Sequence, residues 1–168
     1  MKRRNFIKNT GVTAAGLTVL NFPVFGKMAP SNKVVLAVMG VYSRGAYLAK
    51  EFAGLPNVEV GYICDVEDRA IAEGFKALKD APRQPKLVKD IRKLVMQKDF
   101  DGLVIAAPDH WHAPASIMGV ANGKHVYVEK PMARTFQEVD LMMAAAKKYP
   151  KLATQMGNQG HSEGNYFQ

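Results

Sequence analysis

A doubly wound α/β domain, with parallel strands and helices on both faces of the sheet, is the fold the sequence predicts, and three observations predict it. From residue 33 onward short apolar runs alternate with helical patterns. The runs are continuous and rich in Val, Ile and Leu, as strands buried on both faces require. The residues with chemical character gather where those runs end. Alternation implies β-α-β units with right-handed crossovers, and in such sheets ligands bind beyond the carboxyl ends of the strands, near the point where strand order reverses.

Taken in order, "KVVLAVMG" (33–40) is the first strand, and "SRGAYLAKEFAGL" (43–55) reads as a helix stopped by Gly54-Leu55-Pro56. "VEVGYICD" (58–65) is the second strand, followed by a charged amphipathic helix from about Glu67 to Lys79. After the loop "APRQP" (81–85), "KLV" makes a short third strand and "KDIRKLVMQK" a helix. "DGLVIAAP" (101–108) is the fourth strand, closed by its proline. A helix at 113–122, the strand "HVYVEKP" (125–131), a helix at 135–148 and a last strand "LATQMG" (152–157) complete the series.

The 168 residues suffice for one such domain, with 48% hydrophobic and 23% charged residues in the ordinary globular range. The net charge of +8 is mostly an N-terminal feature: without residues 1–27, 18 basic residues face 15 acidic ones, a net of +3. Nucleic-acid binding is therefore not expected. The start, "MKRRNFIKNTGVTAAGLTVLNFPVFGKMA", has a basic head and a weakly apolar stretch short of the about 20 residues a membrane span needs. Its Arg3-Arg4-Asn5-Phe6-Ile7-Lys8 run fits a twin-arginine export signal better than a basic tail, which predicts passage through the twin-arginine translocase to the periplasm or outer surface. Residues 1–32 are thus assigned to signal and linker. Cys64 is the only cysteine, so no internal disulfide is possible, and its apolar strand predicts a buried side chain rather than a catalytic thiol.

Gly40 and Gly45 are the first and last glycines of a G-x-G-x-x-G frame directly after the first strand. Tyr42 takes the place of the middle glycine, so the loop alone is equally a nucleotide turn or a plain corner. Ser43, Arg44 and the free N–H groups of a helix start would favour an anion. Asp65 ends the second strand, 20 residues after Gly45. There a carboxylate can accept from adenosine ribose hydroxyls and repel a 2′-phosphate, favouring NAD over NADP, or it can cap the next helix. "PDHWHAP" (108–114) holds two histidines that would share a side if extended, yet no cysteine or third histidine lies nearby, and no metal is expected. Glu129 and Lys130 stand at the end of an apolar strand, where Lys130 is either a desolvated proton-transfer group or half of an inert ion pair.

Together the segments "VMGVYSRG", "YICDVEDR", "DGLVIAAPDHWHA", "GKHVYVEKPMA" and "TQMGNQGHS" resemble, in order and spacing, the glucose-fructose oxidoreductase and inositol dehydrogenase (Gfo/Idh/MocA) family. The resemblance covers residues 33–165, the family's Rossmann-type nucleotide-binding domain, and the Glu129-Lys130-Pro131 element is its most specific part. It implies Ser43 and Arg44 at the pyrophosphate, Asp65 at the adenosine ribose, and Pro108, Trp111 and His112 on the nicotinamide side. It places Glu129 and Lys130 at the nicotinamide ribose and reacting carbon, Asn158 at the cofactor's nicotinamide end, and Gln159 and His161 toward substrate. Lys130 is the implied catalytic proton carrier, with His112 a weaker candidate. The domain is bounded at 33–158, and residues 159–168 are read as the truncated start of the family's α/β substrate domain, otherwise absent. The resemblance further implies a sugar or polyol substrate and a homo-oligomer in the full-length family. The expected activity is hydride transfer as an NAD-dependent oxidoreductase, with the 168-residue chain inactive alone. Because no soluble NAD pool exists outside the cytoplasm, an exported member would suit redox-neutral glycosidase or lyase chemistry, in which hydride is removed and returned. A non-catalytic NAD-binding protein is the other alternative.

Overall fold

The computed structural model describes residues 33–158. The signal assigned to residues 1–32 and the residues Gln159 and His161 lie outside the described residues. In chain order the elements are β1 (Val34–Met39), α1 (Arg44–Ala53), β2 (Val58–Cys64), α2 (Asp68–Ala77), β3 (Lys86–Leu87), α3 (Ile91–Val95), β4 (Gly102–Ile105), a 3-10 turn (Asp109–Trp111), α4 (His112–Ala121), β5 (His125–Glu129), α5 (Phe136–Lys148) and β6 (Thr154–Gly157). All strands are parallel, in the order β3-β2-β1-β4-β5-β6. The chain reverses its winding between β1 and β4, where the rule for open sheets puts a ligand.

Side chains alternate across the sheet with period two. Ala37 and Met39 enter the core with α3 and α4, while Val38 enters the core with α1 and α2. A bulge interrupts this alternation in β2. The register of β1 with β2 skips Gly61, so Val60 packs on the α1 and α2 face and Tyr62 on the other. A side chain at Gly61 would collide with Val35, 2.7 Å from the added Cβ, and the bulge and the glycine therefore belong together.

Local signals set the helix starts. Asp90 caps α3 by accepting from the Arg92 N–H at 2.9 Å. Thr135 and Glu138 form a reciprocal capping box at α5. The helix expected across "KDIRKLVMQK" is only five residues long. The chain leaves it at Met96 so that Phe100, 3% exposed, can insert beside Tyr62 with ring centroids 5.7 Å apart. Tertiary packing here overrides helix propensity. The fourth and fifth strands also end sooner than expected, at Ile105 and Glu129, which releases Ala106–Pro108 and Lys130–Pro131 into turns.

Tyr62 donates to Asp99 at 2.5 Å, and Lys86 donates to Asp99 at 2.9 Å. These two hydrogen bonds hold the Asp99 carboxyl down to about 2, from a usual 3.8. A carboxylate depressed on folding contributes stability above its unfolded pKa and loses it as pH falls through the folded value. Asp99→Asn should therefore lower stability at pH 7, and the difference from wild type should vanish between pH 4 and pH 2. Because the Asp99 side chain is 57% exposed, the effect at pH 7 is about 0.5–1 kcal/mol, measurable by urea unfolding at a series of pH values.

Candidate functional site

At the carboxyl ends of β1, β2 and β4 lies a cavity of about 1040 Å³ whose walls include Gly40, Ser43, Arg44, Asp65, Pro108 and Trp111. A smaller cavity of about 340 Å³ adjoins it across Arg44, Ala106 and Ala107, and takes in His112, Glu129, Lys130 and Pro131. The parallel topology thus brings together ten of the residues singled out from the sequence, from segments as far apart as Gly40 and Lys130. Asn158 follows β6, beyond β5, is exposed and lines neither cavity.

The turn after β1 is built by close approach. Gly40 has φ +78°, and a Cβ on it would stand 2.5 Å from Ala107 Cα; one on Gly45 would overlap the Gly40 carbonyl oxygen. The first glycine sets the turn and lets it touch the β4 loop, and the last lets α1 start directly above it. Tyr42 needs no glycine-like backbone, because the positive φ falls one residue later, at Ser43 (φ 46°, ψ −101°). Among the described residues, no acceptor faces the backbone N–H groups of Tyr42, Ser43 or Arg44. Three free donors at a helix start make an anion-binding concavity, and with the glycine cradle they fit a dinucleotide pyrophosphate. The Tyr42 ring is half-exposed and carries the Arg69 guanidinium 5.0 Å from its centroid. A strained serine predicts a gain on relaxation: Ser43→Gly should stabilise the fold by up to about 1 kcal/mol, read as a higher melting midpoint.

Asp65 ties two loops together instead of capping the next helix. Its Oδ1 accepts from the N–H groups of Val66 and Glu67 at 2.8 and 3.0 Å, and its Oδ2 accepts from the Val41 N–H at 2.9 Å. The carboxylate therefore fastens the β1 loop to the end of β2 while its remaining lone pairs border the large cavity. Glu67, not Asp65, is the N-cap of α2. Cys64 is buried at 3% exposure, and burial, helped by the Asp65 charge, pushes its thiol up to about 12. This matches the expected inert side chain.

Arg44 does not stand free over the phosphate turn. Its Nε donates to Glu129 Oε1 at 2.8 Å and its Nη2 lies 2.7 Å from the same oxygen. Burial opposes the charge of Arg44, but the hydrogen bond and charge of Glu129 outweigh it, and the guanidinium is held above its ordinary range. The Tyr127 hydroxyl donates weakly to Glu129 at 3.5 Å; burial first, then the Glu129 charge, raises its pKa. The pair spans the boundary between the two cavities. The family resemblance implies Arg44 at the pyrophosphate and Glu129 at the nicotinamide ribose, but nothing in the spacing of residues 85 apart signals that the two side chains pair.

Two expectations about the β4 and β5 turns need correction. Residues 109–112 are helical rather than extended, so His110 and His112 do not share a side. His112 is 2% exposed, with Nδ1 2.5 Å from the Pro131 carbonyl and Nε2 2.8 Å from the Ala107 carbonyl, whereas His110 is exposed at the cavity wall. Both ring nitrogens of His112 thus face main-chain oxygens. Lys130 is exposed, so residues 33–158 do not supply the desolvation that one of its two readings requires. The sequence reading also missed Lys89, Asp90 and Arg92 on the large cavity's wall. They fall in the segment "KDIRKLVMQK", read from the sequence only as a helix.

A family model described as "Oxidoreductase family, NAD-binding Rossmann fold" (GFO_IDH_MocA) matches residues 28–157. A glycosyl hydrolase family 109 protein of Shewanella baltica is 33% identical over 93% of this chain and 39% of its own length. An alpha-N-acetylgalactosaminidase of Shewanella oneidensis is 32% identical over the same shares. Among solved structures, scyllo-inositol dehydrogenase from Lactobacillus casei, with bound NAD(H) and scyllo-inositol, superposes with a TM-score of 0.72 at 18% identity, over 80% of this chain and 39% of that one. The chain spans about two fifths of the length of the relatives it matches.

Proposed function

Since this chain belongs to the Gfo/Idh/MocA family of oxidoreductases, with an NAD-binding Rossmann fold, we propose that residues 33–158 hold NAD for an enzyme that acts on a glycoside by removing a hydride and returning it. One observation carries the reading: the glycine cradle with its free N–H groups, Asp65 and the Glu129–Lys130 turn converge on two adjoining cavities at the switch point of the sheet. When bound, the nicotinamide supplies hydride uptake and return. The backbone donors of residues 42–44 face the pyrophosphate. Asp65, fixed by three main-chain donors, offers its free lone pairs to the adenosine ribose diol and repels a 2′-phosphate, which favours NAD over NADP. Pro108 and Trp111 wall the path toward the smaller cavity. There Lys130 is the group able to move a proton to or from a sugar hydroxyl.

The names of the relatives favour glycoside cleavage, because two glycosidase-named proteins are about a third identical to this chain over the 39% of their length that it covers. The inositol dehydrogenase likeness supports the fold alone. Export by the twin-arginine translocase, read from Arg3-Arg4 and the residues after them, belongs to the same proposal: an enzyme cut off from a cofactor pool works best when the cofactor leaves each turnover as it entered. A net sugar or polyol dehydrogenase is the competing reading.

Both are tested by turnover of an aryl N-acetyl-α-galactosaminide by the whole protein in deuterium oxide. Transient oxidation of a ring carbinol acidifies the neighbouring C–H, so the released sugar should carry deuterium there with no net NADH. Stoichiometric NADH without cleavage supports the dehydrogenase. Cleavage with neither deuterium uptake nor NAD dependence contradicts both.

A further inference from the structure

We propose that His112 is a positioning residue, a buried staple that fixes the Lys130 turn against the turn after β4; the inference deepens, and rests on, the reading of the smaller cavity as a reaction site. His112 heads α4 and is 2% exposed. Its ring lies between the Ala107 carbonyl, 2.8 Å from Nε2, and the Pro131 carbonyl, 2.5 Å from Nδ1. Those carbonyls belong to the two turns that line the smaller cavity on either side. A ring nitrogen that carries a proton donates to the carbonyl it faces, so the ring fastens at least one of the two turns by a hydrogen bond and packs against the other.

Lys130 needs such a constraint. Among the described residues its ammonium has no hydrogen-bond or ion-pair partner, and only its backbone N–H is engaged, donating to Glu129 Oε2 at 3.3 Å. The backbone of residues 130–131 therefore sets where the Lys130 side chain starts, and with it the range that Nζ can reach. The adjacent strands do little to decide it, because β5 ends at Glu129 and β4 at Ile105, and the Ala106 N–H donates to the Met39 carbonyl at 2.8 Å before the chain turns away. His112 is the side chain that joins the two turns. Histidine suits the task because its ring is rigid and faces a main-chain carbonyl with each nitrogen.

Competitive trace acetylation of the chain without NAD, quantified by mass spectrometry, tests this. Lys98 and Lys147, both exposed and away from the cavities, serve as references. His112→Ala should change the Lys130 rate relative to the references by about fivefold, the equivalent of one lost hydrogen bond. His112→Asn can restore the Nδ1-type bond to Pro131 and His112→Gln the Nε2-type bond to Ala107; at least one of the two should return the ratio to wild type. An unchanged ratio in a folded His112→Ala chain overturns the proposal, as does an equal change at all three lysines. If the alanine variant does not fold, the two amides decide: restoration by either supports the staple, and restoration by neither overturns it. Failure of wild-type chain to bind NAD in a separate titration would remove the cofactor reading without touching the labelling result.

Discussion

Gly45→Ala is expected to lower stability by about 3 kcal/mol and to remove dinucleotide binding together with it. The added Cβ would overlap the Gly40 carbonyl oxygen and stand 3.3 Å from the Ala106 Cβ. Neither the oxygen nor the atoms beyond it can yield as a flexible side chain would, because Gly40 is itself pressed against Ala107. Relief requires α1 to tilt away from the sheet, and that displaces the free N–H groups of Ser43 and Arg44. Chemical denaturation measures the stability, and NAD titration at a temperature where the variant stays folded measures the binding. A Gly45→Ala chain with wild-type stability and affinity would show that the turn does not have this geometry.

Arg44→Leu is the second large effect, a loss of about 3 kcal/mol. Glu129 is 6% exposed at its side chain and Arg44 is 36% exposed, so the substitution leaves a buried carboxylate whose remaining side-chain contact is the 3.5 Å Tyr127 hydroxyl. Desolvation of that charge, rather than the worth of the pair, makes the loss large. The double variant Arg44→Leu, Glu129→Leu should accordingly recover most of it. A double-mutant cycle in urea separates the two: recovery in the double variant is the expected result, and simple additivity would contradict a buried pair. The same pair explains how a helix start and a strand end 85 residues apart are held in one surface.

Much of this architecture is legible in the sequence because its causes are local. Runs such as "KVVLAVMG" and "DGLVIAAP" declare strands buried on both faces, and the Thr135–Glu138 box declares a helix start. Gly40, Asp65 and Glu129 can be placed at strand ends without knowing any contact, since a parallel sheet puts all carboxyl ends on one side. What is not legible depends on where side chains meet across the fold. The Arg44–Glu129 pair, the grip of Asp65 on Val41 and the ring of His112 between two carbonyls leave no trace in spacing. The bulge at Gly61 was hidden for a different reason: one glycine in an otherwise regular strand looks like weak propensity until the neighbouring Val35 is known. Tyr42, a departure from the expected glycine, proves tolerable because the strained backbone is at Ser43.

The central claim, that the carboxyl-end surface of residues 33–158 is an NAD site, is most directly tested by calorimetric titration of the chain with NAD and, separately, NADP. Saturable one-to-one binding of NAD, weaker binding of NADP, and a narrowed difference between them in Asp65→Ala are the predicted results. Absence of saturable binding by either dinucleotide to the folded chain would contradict it.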